Sequence, residues 1–203
     1  MNSKCSFNIV TVSPGPSRPG GAVPRSVGRR VGVDGVLVGA ASGISAKAAQ
    51  IAFPSPGTGV PRTTDLMAVL LVGVTLGSTR GAAAAALYLL EGFSGMPVFA
   101  QGHGGAIWLA GPTAGYLFSY PFAAFVAGWF SERGWGSTTI RAIAGMLVAL
   151  GVIYLGGWSW LAAFAGAKGA WLGGVRPFIL ADILKVAIGA SLLPQLQRLI
   201  SRI

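Results

Sequence analysis

The run PFILADILKVAIGASLLP, Pro177–Pro194, is apolar except for an aspartate and a lysine near its middle. Asp182 and Lys185 stand three residues apart, so on a helix they share one face. Each charge is costly in such a segment, and residues of this kind pair with one another or line a polar cavity. Two readings follow. In the first, the pair is structural and satisfies only itself. In the second it is a ligand site, where the carboxylate accepts from N–H groups and the ammonium donates to a carbonyl or an anion. A compact polar ligand offering both donors and acceptors suits that chemistry.

A second stretch of interest is FAQGHGGAIWLAGPTAGY, Phe99–Tyr116. Its glycines, Gly104, Gly105, Gly111 and Gly115 among them, allow a backbone that folds over a ligand and offers its own N–H and C=O groups. Irregular backbone at membrane depth is tolerated where it lines a cavity or is buried by protein. Trp108 and Tyr116 would supply apolar walls with a polar tip. Other chemistries find no support. The chain has one cysteine, Cys5, and one histidine, His103, so neither a disulfide framework nor a metal site is expected. GxxxxGK[ST] does not occur, and GAKGA at Gly166–Ala170 does not match it, which argues against an ATPase. The five acidic residues are too scattered for a paired-carboxylate enzyme.

The elements that must position these residues are hydrophobic. Of 203 residues, 53% are hydrophobic and only 10% charged, and the mean hydropathy is +0.66. Soluble domains carry about 25% charged residues, so lipid is the expected solvent. The net charge of +10 has no basic cluster interleaved with aromatics, so no nucleic-acid partner is expected. Residues 1–30 are rich in Pro, Gly, Ser and Arg and read as a disordered basic cytoplasmic tail. FNIVTV, Phe7–Val12, is too short for a signal-peptide core, so the tail is expected to stay on the mature chain.

Residues 31–203 read as a bundle of six transmembrane helices. The expected spans are Val33–Phe53, Leu66–Gly77, Gly81–Phe93, Ala114–Phe130, Ile140–Ala165 and Val175–Leu193. The second and third are short, but joining them would place Arg80 inside the membrane at a cost of a few kcal/mol. With the N-terminus inside, ten basic residues are cytoplasmic: Lys4, Arg18, Arg25, Arg29, Arg30, Arg80, Arg133, Arg141, Arg198 and Arg202. Three are outside, Arg62, Lys168 and Arg176, and Lys47 and Lys185 lie within helices. Positive charge thus favours one side, with both termini cytoplasmic and the Gly-rich loop between helices 3 and 4 outside. Two stripes of small residues let helix backbones approach: Gly35, Gly39 and Gly43 in the first helix, and Gly115, Ser119, Ala123 and Ala127 in the fourth. Each serves either internal packing or docking of another membrane subunit.

Three segments together carry a family resemblance: LLVGVTLGSTRGAAAAALYLLEGFSGMPVFAQGHGG, GPTAGYLFSYPFAAFVAGWFSERG and FILADILK. They resemble BioY, the substrate-binding S components of energy-coupling factor (ECF) transporters for biotin, over roughly Ala46 to Leu193. The resemblance implies a six-helix, multi-pass protein of the cell membrane that binds biotin towards the extracytoplasmic side. No cofactor is implied, since biotin is cargo. Energy would come from an EcfT-like transmembrane coupling protein and two EcfA-like cytoplasmic ATPases. Asp182 and Lys185 match the polar pair near biotin, whose ureido ring carries two N–H donors and one carbonyl. Phe99–Gly105 and Gly111–Tyr116, including Thr113, Gly115 and Tyr116, match the remaining pocket motifs. First-helix small residues of related S components contact the coupling subunit, which makes Gly35, Gly39, Gly43, Ser45 and Ala49 candidates.

The chain departs from the family at VPRTTDL, Val60–Leu66, where the family usually reads something like VPITLQT. Arg62 and Asp65 therefore replace less charged residues near the outer mouth. Two other functions fit the same residues: an S component for a different vitamin, and a membrane assembly protein whose Asp–Lys pair is purely structural.

Overall fold

Apolar runs broken by Gly, Pro and charge become helices at the breaks. The structure is a computed structural model, and it describes residues 25–53, 62–135 and 138–200. Among these residues the helices are α1 (Arg25–Gln50), α2 (Asp65–Leu76), α3 (Ser78–Phe93), the short α4 (Ala106–Ala110), α5 (Ala114–Glu132), α6 (Thr139–Ala170) and α7 (Ile179–Ile200). A two-residue antiparallel pair, β1 (Ala52–Phe53) with β2 (Arg62–Thr63), closes the α1–α2 connection. Of the expected basic tail, residues 1–24 lie outside the described residues, and α1 begins at Arg25.

Expected spans two and three are separate helices, as Arg80 required. The connection is tighter than a loop of GSTRG, however. Gly77 alone joins α2 to α3, at φ 86°, a left-handed conformation open to glycine. Its reversal puts Arg80 in the exposed first turn of α3, where it meets Asp34 of α1 at 2.8 Å. Glu132 accepts from the Ser78 backbone N–H at 2.7 Å, satisfying an otherwise orphaned donor at the start of α3. The expected end of the fifth span at Ala165 coincides with a break at Gly166, φ 71° and ψ 161°. The chain does not enter a loop there. It resumes as a helical turn and a π-helical stretch, Trp171–Val175, that leads almost directly into α7.

Helix α5 is central, packing against α2, α3 and α6, while α1 lies against α2 and α3 and α7 against α2 and α6. The close approaches use small residues. A Cβ on Gly115 would collide with the Trp160 Cβ and the Gly156 carbonyl, so α5 and α6 cross nearly backbone to backbone. Gly115, Ser119, Ala123 and Ala127 are all buried, so the α5 stripe serves packing inside this bundle. The α1 stripe behaves differently. Nothing lies within 4 Å of where a Cβ would stand on Gly35, Gly39 or Gly43. Ser45 and Ala49, 1% and 0% exposed, belong to the bundle interior and not to that open face, because the helix turns them inward.

The outer surface is apolar, with Val36, Leu155, Leu180 and Leu184 all exposed. Among the described residues, one helix is by itself long and apolar enough to cross a membrane: Thr139–Val175, with mean hydropathy 1.8. The six tryptophans fall at the two ends of the bundle. Trp129 and Trp135 sit where α5 gives way to α6, and Trp108, Trp158, Trp160 and Trp171 sit at the opposite end.

Candidate ligand-binding site

Three helices start at that second end, α2 at Asp65, α5 at Ala114 and α7 at Ile179. Their first turns, the middle of α6 and the loop after α3 surround a cavity of about 90 Å³, measured as room for the centre of a water-sized sphere. Leu66, Trp108, Leu117, Ile153 and Phe178 make its apolar wall. Phe99 adds to it from the loop, 2% exposed, its ring packed edge-on to Tyr88 at 5.6 Å. That ring occupies the space a Cβ on Gly92 would need, so glycine at 92 is what admits it.

The polar groups come from five elements, β2, α2, α5, α6 and α7. Asp182, 6% exposed, receives Lys185 Nζ on Oδ1 at 2.9 Å and the Tyr154 hydroxyl on Oδ2 at 2.6 Å. Lys185 also donates to the Thr63 carbonyl at 2.8 Å, tying α7 to the strand pair before α2. The pair is therefore not closed on itself. Facing it is a second carboxylate, Asp65, 3% exposed. As the first residue of α2 it sits where the helix dipole favours negative charge. The Leu66 N–H and the Thr63 hydroxyl donate to its Oδ1, the former at 2.8 Å, and the Tyr120 hydroxyl donates to Oδ2 at 3.0 Å. Buried carboxylates persist only when hydrogen-bonded in this way.

Of the residues expected from sequence, Asp182, Lys185, Tyr116, Thr113 and Phe99 line the cavity. Gly104, Gly105, Gly111 and Gly115 do not; they shape what surrounds it. Gly105, at φ 97°, donates its N–H to the Gly92 carbonyl at 2.7 Å, folding the loop back on α3. Gly104 passes so close to the Met96 carbonyl that a side chain would not fit. The Gly111 carbonyl accepts from Trp160 Nε1 at 3.0 Å. His103 bonds the Ala100 carbonyl through Nδ1 at 2.7 Å and lies against Trp108, a loop role. Among the described residues no group of three or more His, Cys, Asp or Glu side chains is placed to hold a metal.

Comparison with known proteins sets this geometry in a family. The model of the BioY family matches residues 27–202. The chain belongs to the BioY family. The probable biotin transporter BioY of Pyrococcus horikoshii is 40% identical over 138 residues, covering 68% of this chain and 81% of that protein. The biotin transporter BioY of Thermotoga maritima is 35% identical over 144 residues, with 69% and 82% covered. The fold matches the crystal structure of the S-component for biotin from an ECF-type ABC transporter, with a TM-score of 0.72 at 18% identity. That match covers 88% of this chain and 95% of the other.

Sequence reasoning on this BioY member missed Asp65, Tyr120, Tyr154 and Thr63 as cavity residues. Asp65 read as part of an outer loop because Pro and Gly precede it; a lone acid directly before LMAVLLVGVTL was the available signal. Gln50 was missed too. Its side-chain amide lies 3.2 Å from the Phe99 carbonyl and 3.4 Å from those of Pro97 and Val98, so the end of α1 holds the loop that carries Phe99. Gln50→Ala is expected to raise amide hydrogen exchange across residues 94–105 severalfold. Because one exposed hydrogen-bonding group is lost, ligand affinity should fall by less than about tenfold.

Proposed function

We propose that this protein is the substrate-capture component of a biotin uptake transporter. In this reading α1, α2, α3, α5, α6 and α7 cross the cell membrane, both termini are cytoplasmic, and the cavity opens on the extracytoplasmic side. Residues 31–203 form the membrane domain, preceded by a basic cytoplasmic tail. Uptake is driven by a transmembrane coupling protein and cytoplasmic ATPases, with biotin as cargo and no cofactor.

One observation carries the ligand assignment. Asp182 and Lys185 line the cavity with hydrogen-bonding capacity left over. Lys185 has three N–H donors and uses two, and Asp182 has about four acceptor positions and uses two. The cyclic urea of biotin, with adjacent N–H and C=O groups, fills both, and the ligand's thioether ring and methylenes suit the Phe99, Trp108 and Phe178 wall. Names borne by the relatives point to the same cargo. The orientation is supported by the basic residues Arg80, Arg133 and Arg141, which fall at the end away from the cavity, and by tryptophans at both ends. The open glycine face of α1 suits close approach by a membrane helix of the coupling protein.

Calorimetric titration of the detergent-solubilised protein with biotin, riboflavin and thiamin tests the reading. Saturable one-site binding of biotin alone is expected. Preference for another vitamin would move the cargo, and no binding of any would leave a structural pair in an assembly protein.

A further inference from the structure

We propose that the exposed face of α5 holds one acidic phospholipid, its phosphate on Arg133 and an acyl chain laid along three phenylalanines. The inference does not depend on the cargo and needs only that the bundle lies in lipid. It begins from spacing. Phe118, Phe122, Phe125, Trp129 and Arg133 follow one another at intervals of three or four residues, so they form one stripe along α5 and its C-terminal cap. The three phenylalanines are 43%, 67% and 46% exposed, so among the described residues nothing covers the stripe. From Phe118 to Trp129 the helix rises about 16 Å, close to half of a hydrocarbon core of roughly 30 Å. The lane of rings is thus about one leaflet deep, and it ends on a tryptophan, a residue favoured at headgroup level.

The head end of the lane is built for an anion. The Arg133 N–H donates to the Trp129 and Phe130 carbonyls at 3.3 and 3.2 Å, and Gly134, at φ 84°, turns the chain away after it. The guanidinium carbon lies 3.4 Å from the centroid of the Trp129 ring. Such stacking occupies the flat face of the guanidinium and leaves its N–H groups free in the plane, where they grip a phosphate in bidentate fashion. The acids at this end are engaged elsewhere. Asp34 pairs with Arg80 at 2.8 Å, and Glu132 accepts from the Ser78 N–H at 2.7 Å and the Ser78 hydroxyl at 2.9 Å. Among the described residues Arg133 makes no ion pair. Arg141, exposed in the first turn of α6, adds a second positive charge on the same hairpin. A zwitterionic lipid can lay its chain on the same lane, but its ammonium then stands beside two arginines. A headgroup with a phosphate and no cation avoids that repulsion, so the site selects for it.

The test titrates the full-length protein in detergent with phosphatidylglycerol and with phosphatidylcholine of matched acyl chains, and counts bound lipid by native mass spectrometry. One phosphatidylglycerol should bind about fivefold or more tightly than phosphatidylcholine. Arg133→Gln should remove that preference. Arg133→Lys keeps the charge but loses the fork and the stack, and should lose most of the preference as well. Phe122→Ala should weaken both lipids alike. Arg80→Gln removes an equal charge that is already engaged with Asp34, and should leave the preference intact. Equal affinity of the unmodified protein for the two lipids would overturn the proposal. So would a preference that survives Arg133→Gln, which puts the lipid elsewhere, or an equal loss in Arg80→Gln, which reports diffuse surface charge. If Arg133→Gln does not fold, Arg133→Lys decides in its place. Biotin titration of the same samples reads the cavity at the other end of the bundle, so its failure bears on the cargo reading alone.

Discussion

Exchanging Lys185 for methionine should abolish measurable biotin binding and destabilise the fold at the same time. Asp182 is nearly buried and holds its charge against Lys185 at 2.9 Å. Removing one partner of a buried pair costs about 3–5 kcal/mol, because the other charge is left uncompensated. The lower end applies here, since Lys185 keeps 24% of its side chain exposed and Tyr154 still donates to Asp182. Binding loses the donor for the ligand carbonyl as well, roughly a hundredfold or more in affinity. The double variant Asp182→Asn, Lys185→Met separates stability from recognition. With no orphaned charge, its thermal unfolding temperature should return close to that of the unmodified protein, while calorimetry still detects no biotin binding. If Lys185→Met bound biotin normally, the pair would be structural and the site assignment lost.

Gly73→Val should leave little folded protein in the membrane. A Cβ there would stand 2.9 Å from the Ala124 Cα and closer still to its carbonyl oxygen, and backbone cannot swing aside as a side-chain tip does. The same place is pressed from the other side, since a Cβ on Gly81 would lie 2.7 Å from the Gly73 Cα. Helices α2, α3 and α5 thus meet at glycine backbone, and overpacking such a site costs about 3 kcal/mol or more. Gly39→Ala is the matched control. Its Cβ meets nothing within 4 Å, so stability should change by less than about 1 kcal/mol in the direction of helix propensity. Membrane yield and thermal unfolding of the two variants side by side check the contrast. Equal behaviour would mean that the α2–α5 crossing is not the tight one.

Both outcomes depend on where helix faces point, and this divides what was readable in the chain. Asp182 and Lys185 were legible because their spacing is a property of one helix turn, and their cost among apolar neighbours is local. The break between α2 and α3 was legible for a similar reason, since Arg80 could not stay in an apolar span; the one-residue turn was not, because Gly77 read as the end of the second span. The glycines of Phe99–Tyr116 were seen, but their work was not. Gly104, Gly105, Gly111 and Gly115 give the loop and the α5–α6 crossing their shape, and a missing side chain leaves no mark of which neighbour fills its place.

The sequence by itself determined the apolar helices, the charge asymmetry of their ends and the Asp182–Lys185 pair within the last of them. Each depends on residues within a turn or two of one another. Only the tertiary structure decided that Tyr154, 28 residues away, serves Asp182, and that Tyr120, 55 residues away, serves Asp65. It also placed Ser45 and Ala49 inside the bundle, with the α1 glycines outside. The physical reason is that helix period states which residues share a face, whereas the partner each face meets is chosen by close packing among helices distant in the chain.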